Sequence, residues 1–158
     1  MQQNKGQRGF SLIELLIVVA IIGIIAAIAI PNLLASKRSA NEGSAIGSVR
    51  SINTAEATYF TTTGENLNYG DLTKLKAASL IDSVLAGKKK SGYNFDVTGV
   101  VSGADAVAAK YDVTAQPTSA DALTGTGTRS FYSNEASVIY GKTGPAAGAR
   151  GSEGTPIQ

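Results

Sequence analysis

Glu14 is the only charged residue in the apolar run from Phe10 to Ile30. A helix over this run reaches about 30 Å, which is the thickness of the hydrocarbon core of a bilayer. An ionised carboxylate in that environment costs about 3 kcal/mol or more unless a cation neutralises it. The sequence therefore predicts a membrane-spanning helix in which Glu14 has a positively charged partner.

The 158 residues include no cysteine and no histidine. Disulfides, thiolate metal sites, cysteine nucleophiles and histidine bases are therefore excluded. Serines and carboxylates are plentiful, but the sequence has no Gly-x-Ser-x-Gly element and no phosphate-binding loop. These features predict a protein that is not an enzyme and that has no cofactor and no metal site.

Charge is nearly balanced outside the amino terminus. The formal net charge is +2, from 14 basic and 12 acidic residues, and Lys5 and Arg8 both precede Phe10. The rest of the chain therefore lacks the strong positive field that steers nucleic acid. Three consecutive lysines at residues 88–90 lie near Tyr93, but such a run is typical of a solvated turn. No specific nucleic-acid binding is predicted.

Three hypotheses account for the amino-terminal residues 1–30. In a secretory signal peptide, Lys5 and Arg8 would form the basic region and residues 27–29 (Ala-Ile-Ala) would resemble a cleavage site, but Glu14 interrupts the apolar core. In a plain single-span anchor, the same basic residues would hold the amino terminus in the cytoplasm. The anchor hypothesis gives Glu14 no role. The third hypothesis rests on a longer motif around Glu14.

The stretch from Gly9 to Leu16, GFSLIELL, is followed by an apolar helix that contains Gly23 and then by Pro31. This order of elements behind a short basic leader resembles the class III signal of type IV prepilins and related pseudopilins. In that family a membrane-embedded prepilin peptidase cuts after the glycine and methylates the new amine. The resemblance implies cleavage between Gly9 and Phe10, with N-methylphenylalanine at Phe10.

The amine that cleavage creates at Phe10 is a candidate partner for Glu14. In a filament of parallel helices, Glu14 can meet the Phe10 amine of a neighbouring subunit. Pairing of a buried carboxylate with that cation would select the correct axial register. The resemblance also implies that the helix between Gly23 and Pro31 extends on assembly. Glu14, Gly23 and Pro31 are therefore the predicted assembly residues.

The resemblance predicts a structural subunit, a pilin that polymerises through its amino-terminal helix into a homo-oligomeric type IV pilus filament. The expected partners are the prepilin peptidase and methyltransferase, the inner-membrane assembly machinery and, before assembly, the membrane itself. The expected location is the bacterial inner membrane for the precursor and then the extracellular pilus on the cell surface. Two alternatives stay open: a pseudopilin of a type II secretion system, and a secreted or membrane-anchored binding domain.

Hydrophobic periodicity predicts an α+β fold, in which a long amino-terminal helical spine packs on a small antiparallel sheet of three or four strands. Pro31 predicts a kink in the spine, because proline removes a helical hydrogen bond. Gly64 is predicted to end the spine and Asp71 to cap a short helix. The predicted segments are a leader at 1–9, a hydrophobic membrane or filament-core helix at 10–31, an amphipathic helix at 32–62, a globular α+β head at 63–140 and a flexible Gly/Pro-rich tail at 141–158.

The sequence lacks two features that are common in the families it resembles. Many type IV pilins close a carboxy-terminal loop with a disulfide, which this chain cannot form. Major pseudopilins often bind calcium through an acidic carboxy-terminal loop, but Glu153 is the only acidic residue after Val138. One carboxylate cannot supply the roughly six to eight oxygen ligands of a calcium site, so this region favours a pilus over a secretion system.

Overall fold

The computed structural model describes residues 9–100, 109–121, 124–152 and 154–157. Residues 1–8 of the predicted leader and Glu153 lie outside the described residues. The chain divides into two compact units, Met1–Ala35 and Ser36–Gln158. The second unit combines helices with an antiparallel sheet, which confirms the predicted α+β class.

Helix α1 spans Leu12–Thr62 as one unbroken helix that continues through Pro31, which covers nearly all of the two helical segments predicted at 10–31 and 32–62. An unbroken helix can still be bent at a proline, so the kink at Pro31 stays a prediction. The Gly64 N–H donates to the Tyr59 carbonyl at 2.8 Å just past the last turn. Gly64 therefore closes the helix, as its position in the sequence predicted.

Two short helices, α2 (Leu72–Ala77) and α3 (Ser83–Ala86), connect α1 to the sheet. Each begins at an aspartate whose side chain accepts a backbone N–H, which is the usual way to satisfy an exposed helix start. The capping bonds run from the Lys74 N–H to Asp71 at 2.8 Å and from the Leu85 N–H to Asp82 at 2.6 Å. The predicted cap at Asp71 is confirmed.

The sheet has six antiparallel strands in chain order, so each strand pairs with the next. The strands are β1 (Lys89–Lys90), β2 (Tyr93–Val100), β3 (Lys110–Pro117), β4 (Arg129–Asn134), β5 (Tyr140–Thr143) and β6 (Thr155–Pro156). The alternation predicted for β2 is confirmed, because Tyr93, Phe95 and Val97 are all buried. The prediction of three or four strands was too low, since the two-residue edge strands carry no hydrophobic alternation.

The core lies between the second half of α1, one face of the sheet and the two short helices. Burial of each large apolar side chain contributes roughly 1.5–3 kcal/mol, so this cluster is the main source of stability. Its large members are Val49, Ile52, Tyr59, Leu72, Leu75, Leu85, Tyr93, Phe95, Val97, Tyr111, Val113, Phe131 and Ile139. The predicted packing of the α1 stripe on the sheet is confirmed.

The segment after Tyr140 adds two strands to the head. The sequence assigned residues 141–158 to a tail outside the head, whereas the structure places residues 141–143 in β5 and residues 155–156 in β6. Ile157 packs against the core, and its N–H donates to the Ile139 carbonyl at 2.8 Å. The head boundary predicted at residue 140 is therefore too early, because a Gly-rich segment with one large apolar side chain lacks strand periodicity. The flexibility of this segment stays a prediction.

Candidate functional site

The first turn of α1 is closed by two reciprocal hydrogen bonds between Ser11 and the residues that follow it. The Ser11 hydroxyl accepts from the Ile13 N–H at 3.3 Å, and the Glu14 carboxylate accepts from the Ser11 N–H at 2.9 Å. This is a capping box, and the carboxylate also lies at the positive end of the helix dipole. Within one chain, Glu14 therefore has a backbone N–H as its partner.

The predicted cleavage site lies immediately before this capped turn. Phe10 is 90% exposed, and Gly9 is exposed as well. Apart from Gly9 itself and its chain neighbours, no atom of residues 9–100, 109–121, 124–152 or 154–157 lies within 4 Å of the place where a Cβ on Gly9 would be. The peptide bond between Gly9 and Phe10 is thus accessible, which proteolysis requires. The contact between Glu14 and the Phe10 amine of a neighbouring subunit stays a prediction.

The large apolar side chains of the first unit are exposed in the described part of the chain. Every large apolar side chain from Leu12 to Leu33 is at least 50% exposed. By length and composition, α1 is able to cross a membrane. A continuous apolar surface of this extent needs lipid or other protein chains around it.

Gly23 and Pro31, the other two predicted assembly residues, both lie inside α1. Among the described residues, a Cβ on Gly23 would meet nothing within 4 Å, so no contact there explains a glycine at this position. Pro31 has no N–H, so the carbonyl four residues earlier lacks its usual helical donor. Both residues weaken the helix locally, and its extension on assembly stays a prediction.

Comparison with known proteins places this amino-terminal arrangement in a family. Residues 4–30 match the prokaryotic N-terminal methylation motif. The type IV major pilin protein PilA of Myxococcus xanthus is 47% identical over 57 residues, which are 36% of this chain and 26% of that protein. The type II secretion system core protein G of Escherichia coli is 29% identical over 99 residues, 59% of this chain and 65% of that protein. These matches, which rest mainly on the amino-terminal residues, support a relationship of this chain to type IV pilins and pseudopilins.

A third similar protein, the fimbrial protein of Pseudomonas aeruginosa, is 79% identical over 28 residues, 18% of each protein. The chain thus spans less than two thirds of the length of these relatives. No solved structure matches it. Pilins and pseudopilins are structural subunits rather than enzymes, which agrees with the sequence prediction.

In the pilin-type head, Glu42 anchors the chain before β4 to helix α1. Its carboxylate accepts from the Thr128 N–H at 2.8 Å, the Thr128 hydroxyl at 2.7 Å and the Arg129 Nε–H at 2.8 Å. Burial raises the pKa of Glu42, but these hydrogen bonds outweigh burial and hold the pKa below its ordinary value. Glu42 is therefore an ionised and well-satisfied buried group.

Arg150 fastens the carboxy-terminal segment of the head to the sheet. Its guanidinium donates to both carboxylate oxygens of Glu135 at 2.7 Å, to Asp112 at 2.9 Å and to the Tyr111 carbonyl at 3.1 Å. The bond from Arg150 holds the pKa of Glu135 below its ordinary value. These bonds join Arg150 to β3 and to the turn that follows β4.

Two of the three lysines at residues 88–90 form ion pairs. Lys88 pairs with Asp96 at 2.7 Å and Lys90 with Asp82 at 3.2 Å, and all four side chains are at least one-third exposed. The structure thus gives these two lysines partners within the chain. The predicted solvated turn is therefore only partly confirmed: the lysine side chains reach solvent, but Lys89 and Lys90 form the edge strand β1.

The sequence prediction singled out Glu14 but missed Ser11, Glu42 and Arg150. The Ser-x-x-Glu spacing at residues 11–14 is the signature of a capping box and could have identified Ser11. Glu42 carried no local signal, because its partner Thr128 lies 86 residues away in the chain.

Proposed function

We propose that this protein is the pilin of a type IV pilus, assembled through α1 after cleavage between Gly9 and Phe10 and methylation of the Phe10 amine. The observation that carries the proposal is the placement of Glu14, a lone carboxylate one turn from that peptide bond at the start of an exposed apolar helix. A plain anchor needs no acid at this position. A signal peptide would be removed together with it.

Cleavage changes the electrostatics at the start of the helix. It creates an α-amino group at Phe10, and N-methylation leaves an amine that still carries a positive charge. When apolar helices pack in parallel, a Glu14 carboxylate next to a neighbour's amine forms a neutral pair in a medium of low dielectric constant. An unpaired Glu14 there is strongly unfavourable, so subunits stack in the register that makes the pair.

The same geometry accounts for the expected path of the subunit. Before assembly, the exposed apolar surface of α1 is covered by lipid of the inner membrane. The prepilin peptidase acts at the membrane face, and the assembly machinery transfers the helix from lipid to the filament core. Extension between Gly23 and Pro31 would adjust the helix length during that transfer, and the filament then leaves the cell surface.

A pseudopilin of a type II secretion system is the second candidate. The match to the Escherichia coli core protein G covers 59% of the chain, more than the 36% matched to the Myxococcus xanthus pilin. Against it, the carboxy-terminal region has one carboxylate, Glu153. Arg150 also forms ion pairs with both Glu135 and Asp112, so each of these carboxylates already has a cationic partner within the chain. We therefore favour the pilus.

The two candidates differ in what a deletion of the gene removes. We expect antibodies against the head to decorate surface filaments along their length in electron micrographs. Deletion is expected to abolish those filaments and to leave the proteins of the culture medium unchanged. Filaments that persist unlabelled, together with exported proteins retained in the periplasm, would show that the protein serves secretion instead.

A further inference from the structure

Glu56 is a fully buried carboxyl in the core of the head, with 0% of its surface exposed. Its Oε2 accepts from the Gly70 N–H at 2.9 Å. Its Oε1 has no hydrogen-bond partner among the described residues. A buried carboxylate normally accepts several donors, so a single N–H leaves its charged form poorly compensated.

The Gly70 N–H belongs to the α1–α2 connection, which comprises residues 63–71. Tyr69 of this connection stacks on Phe60 of α1 with ring centroids 4.7 Å apart, and its ring also lies 4.7 Å from that of Tyr111. On the sheet side, a Cβ on Gly99 would lie 3.1 Å from the Gly70 carbonyl oxygen. The connection is thus held between α1 and the sheet. Its start is bonded to the end of α1 through the Gly64 and Asn66 N–H groups, which donate to the Tyr59 and Phe60 carbonyls. The bond from the Gly70 N–H to Glu56 joins its far end to α1.

The groups around Glu56 favour its protonated form. Burial raises its pKa from 4.5 to about 7, the bond from Gly70 lowers it, Asp71 raises it and Lys74 on α2 lowers it. The nearby phenols of Tyr69 and Tyr111 have pKa values raised by burial, so both stay neutral around pH 7. Glu56 is therefore the group in this cluster that changes charge near neutral pH.

We propose that Glu56 is a proton-controlled latch: its protonated carboxyl holds the α1–α2 connection against helix α1, and its ionisation releases that connection. Because the folded pKa is raised, the stabilisation is fully present below about pH 4.5 and decreases as the pH rises to about 7. The α1–α2 connection is therefore released at neutral and alkaline pH. The latch is independent of the proposed function, since it concerns only contacts inside the head.

Hydrogen exchange of the full-length protein in detergent micelles tests the latch. After correction for intrinsic exchange, the protection of residues 64–71 is expected to fall roughly tenfold or more between pH 5.5 and pH 8.5. Protection of β2 and β3 is expected to stay constant. Unchanged protection in the connection, or an equal loss of protection in β2, would overturn the proposal.

Three variants separate the latch from a general effect of pH. Glu56→Gln is expected to remove the pH dependence of protection in the connection. If that variant folds poorly, Asp71→Asn and Lys74→Gln keep the buried group and change only the charge beside it. Asp71→Asn retains a capping side chain and is expected to move the release midpoint to lower pH, whereas Lys74→Gln moves it to higher pH. Equal midpoints in the wild type and both charge variants would contradict the latch.

Discussion

Filament assembly is expected to fall at least about tenfold in both Glu14→Gln and Glu14→Ala, although the two variants differ in what they remove. Glutamine keeps an oxygen that can accept from the Ser11 N–H, as the Glu14 carboxylate does at 2.9 Å, but it carries no charge. Alanine loses both the capping bond and the charge. Either change leaves a neighbour's amine unpaired in an apolar surrounding, and breaking a buried pair costs roughly 3–5 kcal/mol.

The matched control is Ser11→Ala, which removes the hydroxyl cap on the Ile13 N–H and keeps the Glu14 charge. Loss of such a cap costs about 1 kcal/mol, so assembly is expected to stay close to the wild type. Filaments sheared from cells are quantified against the subunit that remains in the membrane, which separates assembly from expression. Normal assembly of Glu14→Gln would mean that Glu14 acts as a helix cap and not as a charge.

The largest loss of head stability is expected from Glu42→Ala, at roughly 1–3 kcal/mol, because it leaves the part-buried Thr128 donors without their acceptor, whereas Arg129 is 42% exposed and can turn to water. The Thr128 N–H and hydroxyl and the Arg129 guanidinium all donate to this carboxylate. Glu42→Gln keeps an acceptor for Thr128 but loses the ionic bond, so its effect is expected to be intermediate. Denaturant unfolding of the full-length protein in detergent, followed by tyrosine fluorescence, measures both variants.

Asp96→Ala is the matched control for burial. Asp96 accepts from Lys88 at 2.7 Å, a distance close to the 2.8 Å between Arg129 and Glu42, but the Asp96 side chain is 55% exposed and that of Glu42 only 9%. Exposed ion pairs contribute little to stability, so the unfolding midpoint is expected to shift far less. Equal shifts in Glu42→Ala and Asp96→Ala would contradict the anchoring role of Glu42.

The amino-terminal half could be predicted from sequence because its signals are local. An apolar run with a single acid, a glycine before Phe10 and a proline after Ile30 needs no knowledge of distant residues. The alternation of Tyr93, Phe95 and Val97 likewise identified β2 from adjacent positions. Helix and strand periods are short, so such features are visible in a window of a few residues.

The missed features depend on contacts between distant parts of the chain. Glu42 lies among polar helix residues, and only the fold brings it to Thr128. Arg150 and β6 lie in a Gly-rich segment. This segment joins the sheet because β6 pairs with β5 and because Ile157 packs against the core. Glu56 lies in a helical pattern at a position where a charged side chain is usually exposed. It is buried because the fold brings the α1–α2 connection, with the Gly70 N–H, against it.

Mass spectrometry of the mature amino terminus tests the central claim most directly. Subunit isolated from surface filaments is expected to begin at Phe10 and to carry one methyl group on the terminal amine. A Gly9→Leu variant, which enlarges the residue before the cut, is expected to keep the leader and to stay in the membrane. A mature chain that begins at Ile30, or one that keeps residues 1–9 in the wild type, would contradict a pilin whose Glu14 pairs with a processed amine.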